Sequence, residues 1–254
     1  MITIKNQQEI QKMRESNRIV ALLLHKLESI IKPGVNTFEL DRFAEDLIRS
    51  EGGIPAFKGY QVPGLDPFPS TLCTSVNSCI VHGIASKEDI LQEGDIIGID
   101  VGVLKSGFYG DAARTYKVGT ISQKAEKLMD ITKEALQRGI AAAREGNRVG
   151  DISYAIGSFV MKNGYFVADS LTGHGIGSRL HEDPAVPNFG AAGKGPRLKS
   201  GMTIAIEPMV NIGTNRVIEK GWEFFVEDNS LSAHFEHTIL IGKNEPEILT
   251  LYRR

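Results

Sequence analysis

Two similar α+β halves facing each other across a shared centre are what this 254-residue sequence predicts. Three internal echoes carry the prediction. "VHGIAS" (81–86) returns as "GHGIGS" (173–178), and "GDIIGID" (94–100) returns as "GMTIAIE" (201–207). A helix-like segment from Thr37 is matched by one from Asp151, with Gly34, Leu40, Leu47, Ile48 and Gly52 corresponding to Gly146, Ile152, Phe159, Val160 and Gly164. Chance could give one such match; three in the same order are an internal repeat. The halves divide at roughly 1–118 and 119–254, and no low-complexity stretch or linker separates them, so a single domain spanning 1–254 is expected.

The elements follow in order. Residues 7–31 read as an amphipathic helix from the spacing of Ile10, Met13, Val20, Leu24 and Leu27, opened by a capping pair of Asn6 and Glu9 and ended by Pro33-Gly34. Leu40, Phe43, Ala44, Leu47 and Ile48 form the apolar stripe of a second helix over 37–51, closed by Gly52-Gly53. The proline- and aromatic-rich run 56–71 holds no regular pattern and reads as a loop. "IIGIDVGVL" (96–104) and "GFYGDAARTYKV" (107–118) read as two strands joined by a turn at Lys105-Ser106-Gly107. Helices are expected at about 122–145 and 151–163, the second stopped by Gly164. From Met202 onward short strands dominate, among them "MTIAIEPMVN", "WEFFVED" and "HFEHTILIG".

Bulk properties narrow the classes of partner. A formal net charge of −2 supplies no basic field for nucleic acid. The two cysteines, Cys73 and Cys79, make neither a disulfide framework nor a C-x-x-C metal pair, which suits a reducing compartment. The longest early apolar run, Ile19–Leu24, is too short for a signal-peptide core or a membrane span. A soluble, cytoplasmic chain is the expectation.

The candidate chemistry lies in polar residues set among apolar or glycine-rich neighbours. Alone, Asp100 at the end of an apolar run reads as a turn residue, and Asp111 as a partner for Arg114. Glu207 in "IAIEPM" and Glu236 in "HFEHTILI" are stranger, because a carboxylate among isoleucines is costly unless paired or bound to metal. A pseudo-twofold places equivalent residues opposite one another, which would gather His82, Asp100, His174 and Glu207. Pairing of consecutive strands can bring Asp111 onto the face of Asp100, and Glu236 comes from the second half. Four carboxylates so close would repel strongly without cations. Two divalent ions remove the conflict, and carboxylate oxygens with an imidazole suit Mn, Fe, Co or Zn.

At these residues the sequence resembles a known family. "SVNSCIVHGI", "GDIIGIDVG", "GFYGDAARTY", "LTGHGIGSRLHEDPAVPN", "GMTIAIEPM" and "SLSAHFEHTILI" closely resemble type I methionine aminopeptidase, in order and over almost the whole chain. The resemblance implies the two-halved "pita-bread" fold, a central antiparallel sheet with helices on its outer face. It implies removal of the initiator methionine from new polypeptides, whose N-termini would be the partners, with proximity to ribosomes and a monomeric state as further expectations. Carried over residue by residue, Asp111, His174, Glu207 and Glu236 would hold one divalent ion, and Asp100, Asp111 and Glu236 the other, with His174 the only imidazole. Glu207, His181 and His82 would act on the substrate. Tyr60, Phe68, Cys73 and Trp222 match positions that line the methionine pocket.

Two departures bear on that pocket. The loop "GYQVPGLDPFPSTLC" is a few residues longer than in many members, and Leu180 stands where many carry phenylalanine. No zinc-finger cysteines and no long insertion before the last strands occur, so the sequence groups with the minimal bacterial form. An X-Pro peptidase of the same fold and a non-enzymatic binding protein are the alternatives; the first is usually built with an added N-terminal domain, the second with ligands lost.

Overall fold

The structure, a computed structural model, describes residues 1–252. In the first half, α1 (Gln7–Leu27) and α2 (Thr37–Ser50) pack on a sheet of β1 (Ile54–Pro55), β2 (Cys73–Val76), β4 (Ile96–Lys105) and β5 (Phe108–Lys117), with β3 (Cys79–Val81) set apart from it. In the second, α3 (Gln123–Ala142) and α4 (Val149–Lys162) cover the strands β6 (Phe166–Val167), β7 (Thr172–Gly175), β8 (Glu182–Pro187), β9 (Thr203–Ile206) and β10 (Met209–Asn211). β11 (Val217–Lys220), β12 (Glu223–Val226), β13 (Ser232–His234), β14 (His237–Leu240) and β15 (Glu247–Ile248) complete the chain. The larger sheet of this half runs β15-β14-β9-β7-β8, and two three-stranded sheets, β13-β10-β6 and β11-β12-β3, flank the centre. No helix among the described residues is long and apolar enough to cross a membrane.

Local chemistry explains the element ends. Asn6 accepts from the N–H groups of Gln8 and Glu9 while Glu9 reaches back to the Asn6 N–H, the expected capping box of α1. The helix stops at Leu27 rather than continuing to 31. Ser29 and Ile30 donate three residues back, to Lys26 and Leu27, because Pro33 disfavours a helical residue before it and the chain tightens ahead of that point. α3 is likewise shorter than expected, and α4 starts earlier, where the Asp151 carboxylate accepts from the Arg148 N–H at 2.7 Å. The β4–β5 turn has Ser106 at φ 53° and Gly107 at φ 79°, the two left-handed residues that a tight hairpin requires.

The two halves repeat down to single hydrogen bonds. Gly34 donates to the Leu91 carbonyl at 2.8 Å, and Gly146 to that of Leu198 at 3.1 Å. Leu91 answers with a bond to Val35, and Leu198 with one to Asn147. Each half has its own apolar core, one around Leu23, Leu40 and Ile99, the other around Leu128, Ile156 and Ile206. A third cluster, containing Met13, Phe57, Cys73, Ile176 and Leu180, draws on both halves.

One part of the repeat is corrected by the strand registers. Ile97 lies opposite Val76, and Ile204 opposite Gly175. With Asp100 set on Glu207, the counterpart of His174 is therefore Ser75, not His82. The likeness of the two histidine–glycine stretches comes from a shared packing need. A Cβ at Gly83 would meet the Thr74 carbonyl oxygen at 2.2 Å, and one at Gly175 would meet that of Asp183 at 2.2 Å. Both glycines let a neighbouring strand come close.

Candidate metal centre

Asp100 is inside β4, not at its end, and pairs across the sheet with Cys73 and Ala113. Asp111 pairs with Gly102, so the two aspartates are diagonal neighbours on one face of the hairpin. The seam with the second half runs along β5. Glu236 donates its N–H to the Ala113 carbonyl at 2.9 Å, and the Thr238 hydroxyl donates to the Asp111 carbonyl at 2.7 Å. These bonds bring Glu236 against Asp111. Glu207 arrives just past β9, and His174 from β7 beside it.

Donor atoms of Asp111, His174 and Glu236 lie within 4.8 Å of one another. The His174 Nδ1–H donates to the Gly175 carbonyl at 2.9 Å, which leaves Nε2 with its lone pair facing the acids. That nitrogen is 3.6 Å from Glu207 Oε1 and 3.9 Å from Asp111 Oδ2. Asp100 Oδ1, Asp111 Oδ1 and Glu236 Oε1 are buried without a hydrogen-bond partner. Such orphaned acceptors are costly inside a protein. Burial pushes Asp100 up to about 7, a hydrogen bond with Asp111 partly offsetting it. Burial, with the neighbouring carboxylates adding to it, holds Asp111, Glu207 and Glu236 well above the usual range. Burial lowers His174 to about 3, so its imidazole is neutral and able to ligate. Hard oxygens, a neutral imidazole and unfilled acceptors are what a divalent cation would satisfy, so the residues fit the expected ligand set.

His181 and His82 stand over this cluster. His181 is exposed at the mouth of the cleft, its ring edge-on to His174 with centroids 4.4 Å apart, and its Nδ1 is 2.9 Å from the Tyr60 hydroxyl. Neighbouring Glu182 is anchored from below. Its carboxylate accepts from Lys5 Nζ at 2.8 Å and Thr3 Oγ1 at 2.7 Å, and the Lys5 and Glu182 side chains are only 4% and 2% exposed. His82 has φ 60° and rests edge-on against Phe224 at 5.4 Å. Burial, helped by nearby His181, lowers it to about 4.

Together these groups line a cleft of about 460 Å³ whose walls include Tyr60, Phe68, Cys73, Leu180 and Trp222. The loop at 56–71 is not loose. Gly59 donates to the Phe68 carbonyl and Phe68 to that of Tyr60, and the Trp222 indole N–H pins Asp66 through its carbonyl at 2.8 Å. Phe68 is 3% exposed and meets Trp222 edge-on at 5.4 Å. Every site residue expected from the sequence thus reaches one cleft. Val62, Met209 and His234 were missed: Val62 and Met209 also line it, and His234 stands against Glu207 and Glu236. A signal for His234 existed, since residues two apart in an extended chain share a face, and His234 precedes Glu236 by two.

Residues 11–243 match the metallopeptidase family M24. A methionine aminopeptidase of Clostridium acetobutylicum is 49% identical over 253 residues, 99% of each chain. The crystal structure of methionine aminopeptidase from Thermotoga maritima superposes with a TM-score of 0.95 at 42% identity, covering 99% of this chain and 100% of that one. Prolidase from Pyrococcus furiosus has a TM-score of 0.80 at 25% identity, and the match takes in 99% of this chain but 66% of that one. The fold is the pita-bread fold, and the chain belongs to the methionine aminopeptidases of metallopeptidase family M24.

Proposed function

We propose that this enzyme removes the initiator methionine from nascent polypeptides in the cytoplasm when the second residue is small, using two divalent ions. The observation that supports it best is the meeting of Asp100, Asp111, His174, Glu207 and Glu236 in one cleft whose remaining walls are mostly apolar. Asp111, His174, Glu207 and Glu236 would hold one ion, and Asp100, Asp111 and Glu236 the other; Co, Mn, Fe and Zn all suit such donors. Divalent ions at such a centre polarise a carbonyl and acidify water.

The chain's own groups do the rest. Glu207 takes the proton from the attacking water and passes it on towards the leaving amine. The Tyr60 hydroxyl can donate to His181 Nδ1, which selects the tautomer with the proton on Nε2. From there His181 donates to the oxygen on which charge develops. His82, neutral and held over the cleft, assists at the scissile nitrogen. The free α-amine of the substrate would approach the ion held by Asp100, which explains a need for an unblocked terminus. Tyr60, Phe68, Cys73, Leu180 and Trp222 enclose the side chain, and an unbranched thioether adapts to such a pocket.

A peptide panel followed by mass spectrometry tests the reading. Met-Ala-Ser and Met-Gly peptides should be cut. Met-Phe, Lys-leading and acetyl-Met peptides should resist, since a charged first residue would be buried unpaired and acetylation removes the amine. Efficient cleavage of acetyl-Met-Ala-Ser overturns the assignment of the amine to the metal edge near Asp100. Preference for Ala-Pro-Ala would make the enzyme an X-Pro peptidase.

A further inference from the structure

His234 ends β13, and its main chain is fixed by a reciprocal pair with Thr115. The His234 N–H donates to Thr115 Oγ1, and that hydroxyl donates to the His234 carbonyl, both at 2.9 Å. The residue is 3% exposed, and its Nε2 is buried with no hydrogen-bond partner. That nitrogen stands 3.8 Å from Glu207 Oε2 and 4.0 Å from Glu236 Oε2. These separations are too long for hydrogen bonds. They are not too long for co-ligands, because two donors each about 2.1 Å from one ion can stand up to about 4.2 Å apart. His174 shows the same relation, at 3.6 Å from Glu207 and 3.9 Å from Asp111. The two oxygens of Glu207 face different imidazoles, Oε1 towards His174 and Oε2 towards His234.

We propose that His234 is a further metal ligand, its Nε2 supplying a second imidazole to the ion that Glu207 holds. The proposal rests on the metal-centre reading and adds to it a nitrogen donor outside the expected five residues. A second imidazole moves the donor set away from one that suits Mn and towards one that suits Fe, Co or Zn.

The test uses the full chain, stripped of metal and titrated with Co(II) alone, with proton NMR in water. An imidazole bound through Nε2 carries one exchangeable Nδ1 hydrogen, which paramagnetic Co(II) shifts far outside the normal range. Of the two hydrogens, one is held by the Gly175 carbonyl, and the other belongs to a side chain only 4% exposed. Two such signals are expected at full loading, of which His234→Gln keeps the one from His174 and loses the other. A single signal, lost in His174→Ala and kept in His234→Gln, overturns the proposal and leaves the metal centre intact; no shifted signal overturns both. Because the unaltered protein already decides between one and two, failure of a variant to fold does not spoil the test. Calorimetric titration gives a second readout. Loss of even an outer partner of a metal ligand usually costs about 10–100-fold in affinity, so His234→Gln should weaken Co(II) at least about tenfold and Mn(II) less. Unchanged Co(II) affinity in a folded variant overturns the proposal.

Discussion

Replacing Lys5 by methionine should destabilise the enzyme from a point remote in sequence from its chemistry. The Lys5–Glu182 pair is almost fully enclosed, with side chains 4% and 2% exposed and Nζ 2.8 Å from the carboxylate. Methionine fills the space of the lysine stem, which lies against Gly177, but leaves the Glu182 charge without its cation. Breaking a buried pair in this way costs about 3–5 kcal/mol. Thr3 Oγ1 at 2.7 Å and the Arg179 N–H at 3.1 Å would still hold the carboxylate, which puts the loss near the lower end, about 3 kcal/mol. For a chain of this size that is a fall in melting temperature of roughly 6–12 °C. Urea unfolding followed by the fluorescence of Trp222, the single tryptophan, measures it directly. Adding Glu182→Gln should recover much of the loss, since the stranded charge is removed. Turnover should fall as well, because Glu182 fixes the turn that presents His181. A Lys5→Met enzyme within about 0.5 kcal/mol of the parent would refute the reasoning, showing that desolvation of the pair cancels its attraction.

His181→Ala should retain metal by mass spectrometry and lose about 10²–10³-fold in turnover, the usual effect of removing one hydrogen bond to developing charge. His174→Ala should lose both; equal metal loss in the two variants would contradict their separate roles. In chelated protein, Asp100, held up near 7 by burial, and Asp111, Glu207 and Glu236, held well above the usual carboxylate range, retain protons that the unfolded chain releases above about pH 4. Below about pH 6.5 the buried His82, His174 and His234, neutral in the fold and protonated when unfolded, offset this. Above it the folded state binds more protons than the unfolded one, so thermal stability of the metal-free form should fall as pH rises from about 6.5 to 8, and metal should flatten the slope. A pH-independent melting temperature of the chelated form would show that the acids are solvated. Trp222→Ala frees the loop held at Asp66 and Phe68; KM for Met-Ala-Ser should rise more than kcat falls, and an unchanged KM would remove Trp222 from the pocket wall.

Much of this architecture was legible in the chain because it is periodic. Helix α2 and the β4–β5 hairpin follow from apolar spacing and a two-residue turn, and Asp100 and Asp111 reach one face through that hairpin's register. The repeat of Gly34 and Gly146 was also readable, since each marks the same bond to a leucine carbonyl. The pairing of His82 with His174 was misleading for a physical reason. Close strand approach selects glycine wherever it occurs, so similar words arise at places that are not equivalent. His234 was missed because its two-residue spacing from Glu236 is a weak cue alone, and its placement depends on the Thr115 contact across the seam, which that spacing does not encode. The order within the 56–71 loop was hidden for a similar reason, as its pin is Trp222, far along the chain.

The seam has a mechanical consequence. Asp100 and Asp111 lie on strands that pack on the core around Leu23. His174 and Glu207 lie on or beside strands of the sheet that contributes Ile204 and Ile206 to the core around Ile156, and Glu236 lies on the boundary between the two. Two ions shared among these five residues would rivet two bodies that could otherwise loosen independently. Chain closure between such distant positions removes much of the freedom of a partly opened state. Metal should therefore change the cooperativity of unfolding as well as its midpoint. The stripped protein would open half by half, with amides of one core exchanging before those of the other, and the loaded protein would open as a single unit. Hydrogen exchange resolved by half would then report metal occupancy without any substrate being turned over.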